Sequence, residues 1–266
     1  MALPELNTIR CLCHICHQRS KRPYWSHYIY KEYYYSEIFY CSLASNSEFK
    51  VSTSDVELLA PINGPDKVIC IGMNYKDHCE EQGAPIPKEP VVFNKFPSTI
   101  VGPFDNLPYP EISKELDWEV ELVIVIGKSG FNIPENKAAD HIFGYTVAHD
   151  VSARDWQLRR NGGQWLLGKS MNAFCPIGPC ITTSDEIGNP HNLDLKCSVN
   201  GVTKQNSNTK QLVFNCHQIV AWCSQFCTLL PGDLILTGTP PGVGCFMKPP
   251  QFLKVHNVIR GVPSKV

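Results

Sequence analysis

The stretch Asp117-Trp118-Glu119-Val120-Glu121-Leu122-Val123-Ile124-Val125-Ile126 decides the fold. Its β-branched residues restrict χ1 and suit a pleated backbone, so the sequence predicts a strand over 120–126. Alternate side chains of a strand face opposite ways, which puts Glu119 and Glu121 on one face and Val120 on the other. The run that follows is apolar without alternation, so this strand is expected to enter a core on both faces. Alternating glutamates also occur on the wet face of a sheet, and the buried continuation is what distinguishes this pair. Two carboxylates in a partly enclosed site repel unless a proton or cation offsets them, and hard oxygen donors suit Mg²⁺, Mn²⁺ or Ca²⁺. Asp150, where a later strand over 143–148 ends, is the natural third ligand.

Outward from this centre, strands are expected over 67–71, 91–94, 193–199 and 234–236, and a short helix over 75–82. Pro85, Pro87 and Pro90 block a longer helix there. Short helical turns are expected over 134–141 and 152–160. Asn200-Gly201 is the residue pair of a two-residue hairpin turn with positive φ. Ile219, Cys223, Phe226 and Leu230 recur at helical spacing and are expected to share a buried stripe, which Pro231-Gly232 ends. Many short strands, few helices and no repeated βαβ unit give a mixed β, or α+β, fold class. The absence of G-x-G-x-x-G argues against a dinucleotide-binding sheet.

The 266 residues suffice for one sizeable core, and 24 basic against 25 acidic side chains leave no extended field for nucleic acid or an anionic membrane. No apolar stretch approaches the roughly 20 residues needed to cross a bilayer. Neither nucleic acid nor membrane is therefore an expected partner. The 13 cysteines are scattered through a chain long enough not to need disulfides, so the main domain is expected to be reduced and intracellular, with mitochondrial matrix and cytoplasm both open. Residues 1–50 differ in character: Cys13, Cys16 and His17 have half of a zinc-site spacing with no second half, and an aromatic run follows from Tyr24 to Tyr40. They are expected to form an atypical, poorly ordered leader.

Four segments, in this order, resemble the fumarylacetoacetate hydrolase family: Gly72-Met73-Asn74-Tyr75-Lys76-Asp77-His78, Asp117-Trp118-Glu119-Val120-Glu121-Leu122, Ala148-His149-Asp150-Val151-Ser152-Ala153-Arg154-Asp155, and Gly238-Thr239-Pro240-Pro241-Gly242-Val243-Gly244. The resemblance covers residues 51–253 and implies a β-roll or barrel-like catalytic domain with short helices, commonly a homodimer. It implies a cation on Glu119, Glu121 and Asp150, with Mg²⁺ first and Ca²⁺ or Mn²⁺ as alternatives. It also implies a small oxo-acid substrate. The family cleaves carbon–carbon bonds hydrolytically, decarboxylates, or interconverts keto and enol forms. The shared difficulty is negative charge on an enolate-like oxygen. The leading expectation is a metal-dependent hydrolase of oxo- or diketo-acids, and the alternative is an oxaloacetate-type tautomerase or decarboxylase. Residues 254–266 form a divergent tail that lacks the expected Gly-Asp turn and strand pair, which keeps a third reading open: a catalytically impaired scaffold or interaction protein.

Around the cation, His78 is the candidate general base, because a neutral imidazole accepts a proton near pH 7. Glu81, three residues later on the same helix, is placed to orient it. Lys169 is expected to neutralise a carboxylate or a developing enolate. Gln157 and Thr239 are candidate substrate contacts through an amide and a hydroxyl. An isolated His, Lys or Thr in such settings is usually a surface or framework residue, and the matched segments raise these above that reading. Arg154 and Asp155 are expected to pair within the framework.

Overall fold

The computed structural model describes residues 11–12, 14–17 and 56–263. The strands that build the scaffold are β1 (Val68–Gly72), β2 (Val91–Lys95), β3 (Val120–Ile126), β4 (Ile142–His149), β5 (Ile181–Thr183), β6 (Asp194–Val199), β7 (Val202–Asn208), β8 (Leu234–Leu236) and β9 (Ile259–Pro263). Three helices matter to the site: α1 (Lys76–Gln82), α2 (Leu166–Lys169) and α3 (Cys216–Cys223).

The main sheet runs Cys11–Leu12, β5, β4, β3, β8, β1, β2. Within it the β8/β1 pair is parallel and the other neighbours are antiparallel. A single parallel pair agrees with the absence of repeated βαβ units in the sequence. The sheet has two edges, at Cys11–Leu12 and at β2, and so forms a roll rather than a closed barrel. A second sheet, in the order β7, β6, β9, packs against it.

All seven residues of β3 are buried. Val123 and Val125 pack with Val68, Cys70, Leu234 and Leu236 on one face. Leu122, Ile124 and Ile126 pack on the other with Ile69, Ile71 and Ile235, together with Leu195 and Cys197 of β6 and Ile219 and Val220 of α3. Cover on both faces explains the unbroken apolar run. Burial of each large aliphatic side chain is worth roughly 1.5–3 kcal/mol, so this central layer is a rigid support for whatever its ends carry.

Local chemistry sets the element ends. α1 closes at Gly83, whose φ of 62° lets its N–H reach back to the Cys79 and Glu80 carbonyls. Asn200 and Gly201 join β6 to β7 with φ of 52° and 78°, as the turn signature predicts. α3 begins with a capping box between Asn215 and Gln218. It stops at Cys223, because Ser224 turns its carbonyl and hydroxyl to the Asn132 and Ile133 N–H groups. The expected four-residue stripe therefore splits: Ile219 and Cys223 are buried, whereas Phe226 is 70% and Leu230 38% exposed.

At the chain ends, His14–His17 pairs with Val56–Leu59, and β9 pairs with β6, so the divergent tail contributes a strand where a missing pair was expected. Cys13 of the half zinc motif lies outside the described residues, as do the side chains of Cys16 and His17. Eight described cysteines are free, and Cys180 is disulfide-bonded. Among the described residues no helix is long and apolar enough to cross a membrane.

Candidate metal centre and active site

Glu121 is the second residue of β3, Glu119 lies just before that strand, and Asp150 follows the end of β4. The antiparallel register sets Glu121 opposite Ala148, and the Asp150 N–H continues the ladder by donating to the Glu119 carbonyl at 2.8 Å. One oxygen from each of the three carboxylates lies within 4.8 Å of the others. All three residues are buried, none more than 5% exposed.

Buried carboxylates in this number require compensation. Lys169 Nζ, from the end of α2, bridges Glu119 Oε2 at 2.7 Å and Asp150 Oδ2 at 2.8 Å. Lys95 Nζ, from the end of β2, holds Asp150 Oδ1 at 2.6 Å. Arg154 reaches Asp117 Oδ2 through Nε at 2.8 Å and Glu119 Oε1 through an Nη at 2.7 Å; the second contact is an ion pair by distance without an aligned hydrogen bond. Four carboxylates, with Asp117 included, face three cations, so one negative charge is left over.

The carboxylate left without a cation of its own is Glu121. Among the described residues no cation pairs with it, and the Gly238 N–H donates to its Oε2 at 2.7 Å. Burial, then the Asp150 and Glu119 charges, raise its carboxyl well above the ordinary range. Glu119 goes the other way: burial would raise it, but Lys169 and Arg154 outweigh burial and hold it at about 2. A buried carboxylate without a cation, facing two more ligating oxygens, fits a divalent ion with hard-oxygen preference.

Glu119, Glu121 and His78 line one pocket, and Asp150 adjoins the two glutamates. A pocket opens between His78, Gln82, Glu119, Glu121, Lys169 and Thr239. His78 Nδ1 stands 2.8 Å from Glu81 Oε2, and the other Glu81 oxygen accepts from the Gly242 N–H at 2.8 Å. The i,i+3 pairing read from sequence is thus formed and tied to the Gly238–Gly244 loop. Gln157 lines the pocket and accepts from Arg154 Nη1 at 2.9 Å. Thr239 Oγ1 donates to the Val120 carbonyl at 3.0 Å and receives Gln205 Nε2 at 2.7 Å, so its hydroxyl is already engaged. Asp155 accepts from Ser113, whereas Arg154 pairs with Asp117 and Glu119 and lines the pocket, so the two do not pair with each other and only Asp155 is confined to framework contacts.

Sequence reasoning passed over Lys95, Asp117 and Gln82. Lys95 ends a strand after Val91, Val92, Phe93 and Asn94, a pattern that does not mark it as buried. Asp117 accepts the Gly244 and Cys245 N–H groups as well as Arg154, contacts that no local pattern announces.

Residues 67–261 match the family described as Fumarylacetoacetate (FAA) hydrolase C-terminal. The chain is 59% identical over 219 residues to Oxaloacetate tautomerase fahd2, mitochondrial, of Xenopus laevis, a match covering 82% of this chain and 69% of that protein. It is 60% identical over 201 residues to Oxaloacetate tautomerase FAHD2A, mitochondrial, of Homo sapiens, covering 76% and 64% respectively. The matched chain thus spans about two thirds of these relatives' length. Among solved structures, the fumarylacetoacetate hydrolase of Exiguobacterium antarcticum superposes with a TM-score of 0.74 at 40% identity, covering 81% of this chain and 77% of that one.

Proposed function

This chain belongs to the fumarylacetoacetate hydrolase family, and on that premise we propose that it interconverts the keto and enol forms of a small oxo-acid of the oxaloacetate class. The observation that carries the reading is one pocket lined both by Glu119 and Glu121, two members of a carboxylate triad that Asp150 completes, and by an imidazole whose Nδ1 is fixed by a carboxylate. The names of the relatives support tautomerisation over hydrolysis.

In this reading Glu119, Glu121 and Asp150 hold the cation, with Mg²⁺ first and Ca²⁺ or Mn²⁺ as alternatives. A divalent ion there supplies electrostatic stabilisation of negative charge on the substrate oxygens. The remaining steps fall to side chains. His78 takes a proton at Nε2 from the carbon next to the substrate carbonyl, while Glu81 holds the Nδ1–H and offsets the charge the ring acquires. Lys169 keeps Glu119 ionised and holds it in register with Asp150, and adds positive charge beside the developing enolate. Gln157, its carbonyl oxygen tied to Arg154, offers its N–H groups to orient the substrate, and Thr239 forms the adjoining wall. A shielded site keeps water away from the enolate, which favours return of the proton over hydrolysis.

The catalytic unit is assigned to 51–253, with 1–50 as leader and 254–266 as tail. A mitochondrial location follows the relatives' names. A homodimer is part of the same reading, supported by the apolar edge at Val91, Val92 and Phe96, which are 38%, 48% and 44% exposed. Hydrolytic carbon–carbon cleavage is the second reading, supported by the family description. The test offers the purified protein oxaloacetate and, separately, a β-diketo acid, with Mg²⁺ or chelator. Tautomerisation gives a Mg²⁺-dependent change in enol absorbance at constant mass, whereas hydrolysis gives two smaller products. No Mg²⁺-dependent change with either substrate would leave the impaired scaffold in place of both.

A further inference from the structure

The imidazole of His78 is held at both nitrogens. Nδ1 faces Glu81 Oε2 at 2.8 Å, and Nε2 faces the amide nitrogen of Gln82 at 2.7 Å. An ionised carboxylate only accepts, so the ring proton sits on Nδ1; the neutral ring then has a lone pair at Nε2, and the Gln82 N–H is its complement. Both partners come from the last turn of α1, three and four residues beyond His78, which is the spacing that lets them reach one ring. Phe246 meets the ring edge-on with centroids 6.0 Å apart. The charged groups facing the ring are Glu81 from its own helix and, around the pocket, Glu119, Glu121, Arg154 and Lys169. Asp77 contacts the His78 backbone N–H rather than the ring.

We propose that Gln82 is a positioning residue for the base: its amide holds His78 in the tautomer that leaves Nε2 unprotonated and covers that nitrogen until substrate displaces it. This rests on His78 being the base. In the transfer the substrate C–H bond breaks, its electron pair remains on the substrate as an enolate, and an N–H bond forms at Nε2. The Gln82 amide then turns over to present Oε1 to that N–H, so the imidazolium has an acceptor on each side. Proton return to the enolate oxygen gives the enol and restores the neutral ring and the starting amide orientation.

Gln82→Glu tests this, because a second carboxylate at Nε2 stabilises the protonated ring. With saturating Mg²⁺ and oxaloacetate as substrate, the acid limb of the kcat/KM profile is expected to move up by about one pH unit, so that kcat/KM at a fixed pH well down that limb falls about tenfold. The second measurement needs no turnover: ring ¹⁵N spectra of the native protein, with His78 assigned by its loss in His78→Gln, should show the Nδ1–H tautomer. An Nε2–H tautomer, or a Gln82→Glu profile with the native limb and rate, overturns the proposal. If His78→Gln abolishes turnover while Gln82→Glu behaves as native, the base reading stands and only the role of Gln82 falls. If His78→Gln keeps native turnover, both fall.

Discussion

Lys169 Nζ lies 2.8 Å from Oδ2 of Asp150, both side chains fully enclosed, and the same ammonium reaches Glu119 Oε2 at 2.7 Å. One lysine thus joins two of the three carboxylates that form the candidate metal centre. Burial would lower its pKa, but the Asp150 and Glu119 charges outweigh burial and raise it, so the lysine stays charged. Its role at rest is to keep mutually repelling oxygens in place.

Replacing Lys169 by Met leaves two buried carboxylates short of a cation, a loss expected to cost about 3–5 kcal/mol of folding stability. Mg²⁺ should restore part of it, because an ion binding only the folded state stabilises in proportion to its affinity. Thermal melts with and without Mg²⁺ should therefore show a larger metal-dependent rise in Tm for Lys169→Met than for the native chain. Equal rises in both would mean that Lys169 and the cation do not share these ligands.

Gly238 supplies the N–H that Glu121 accepts, and its φ of 101° belongs to a region that residues with a Cβ rarely adopt. A Cβ there would also meet the Asn74 Cβ at 2.9 Å and the Ile71 carbonyl oxygen at 3.1 Å. Gly238→Ala is expected to destabilise the protein by about 1–3 kcal/mol and to weaken Mg²⁺ binding with it. Urea denaturation and a Mg²⁺ titration on the same preparation check both parts.

Much of this centre was legible because strand geometry is local. Alternation placed Glu119 and Glu121 together, and the end of the next strand brought Asp150 beside them. The same reasoning could not find Lys95: its burial depends on β2 lying beside β1 and on a contact with Asp150 across 55 positions of sequence. The end of α3 was illegible for a related reason. Periodicity continues through Phe226 and Leu230, but Ser224 spends its carbonyl and hydroxyl on a loop more than 90 residues earlier in the chain. Local pattern reads register and face well, and it is blind to partners that only the assembled fold supplies.

A pH dependence of stability is expected from a group remote from the pocket. His191 packs edge-on against His217 at 5.1 Å and accepts the Cys216 N–H through Nε2 at 3.2 Å. Burial, then the His217 charge, lower its pKa from the ordinary value of 6.5. The unfolded chain therefore binds this proton more readily, and the contribution of neutral His191 is complete above about pH 6.5 and lost as pH falls through the folded value. Urea midpoints of the native chain should drop between about pH 7 and pH 5.5, and by less in His191→Gln. Equal drops would assign the effect to another group.

In the proposed reading Glu119, Glu121 and Asp150 together bind one divalent cation. Calorimetric titration of Mg²⁺ into the native chain and into Glu121→Gln, both checked for native circular dichroism, tests it most directly. The expected result is one ion per native chain and an affinity at least about tenfold weaker in the variant, a difference of about 1.4 kcal/mol. Equal affinities, or no Mg²⁺ uptake by the native chain, would contradict it.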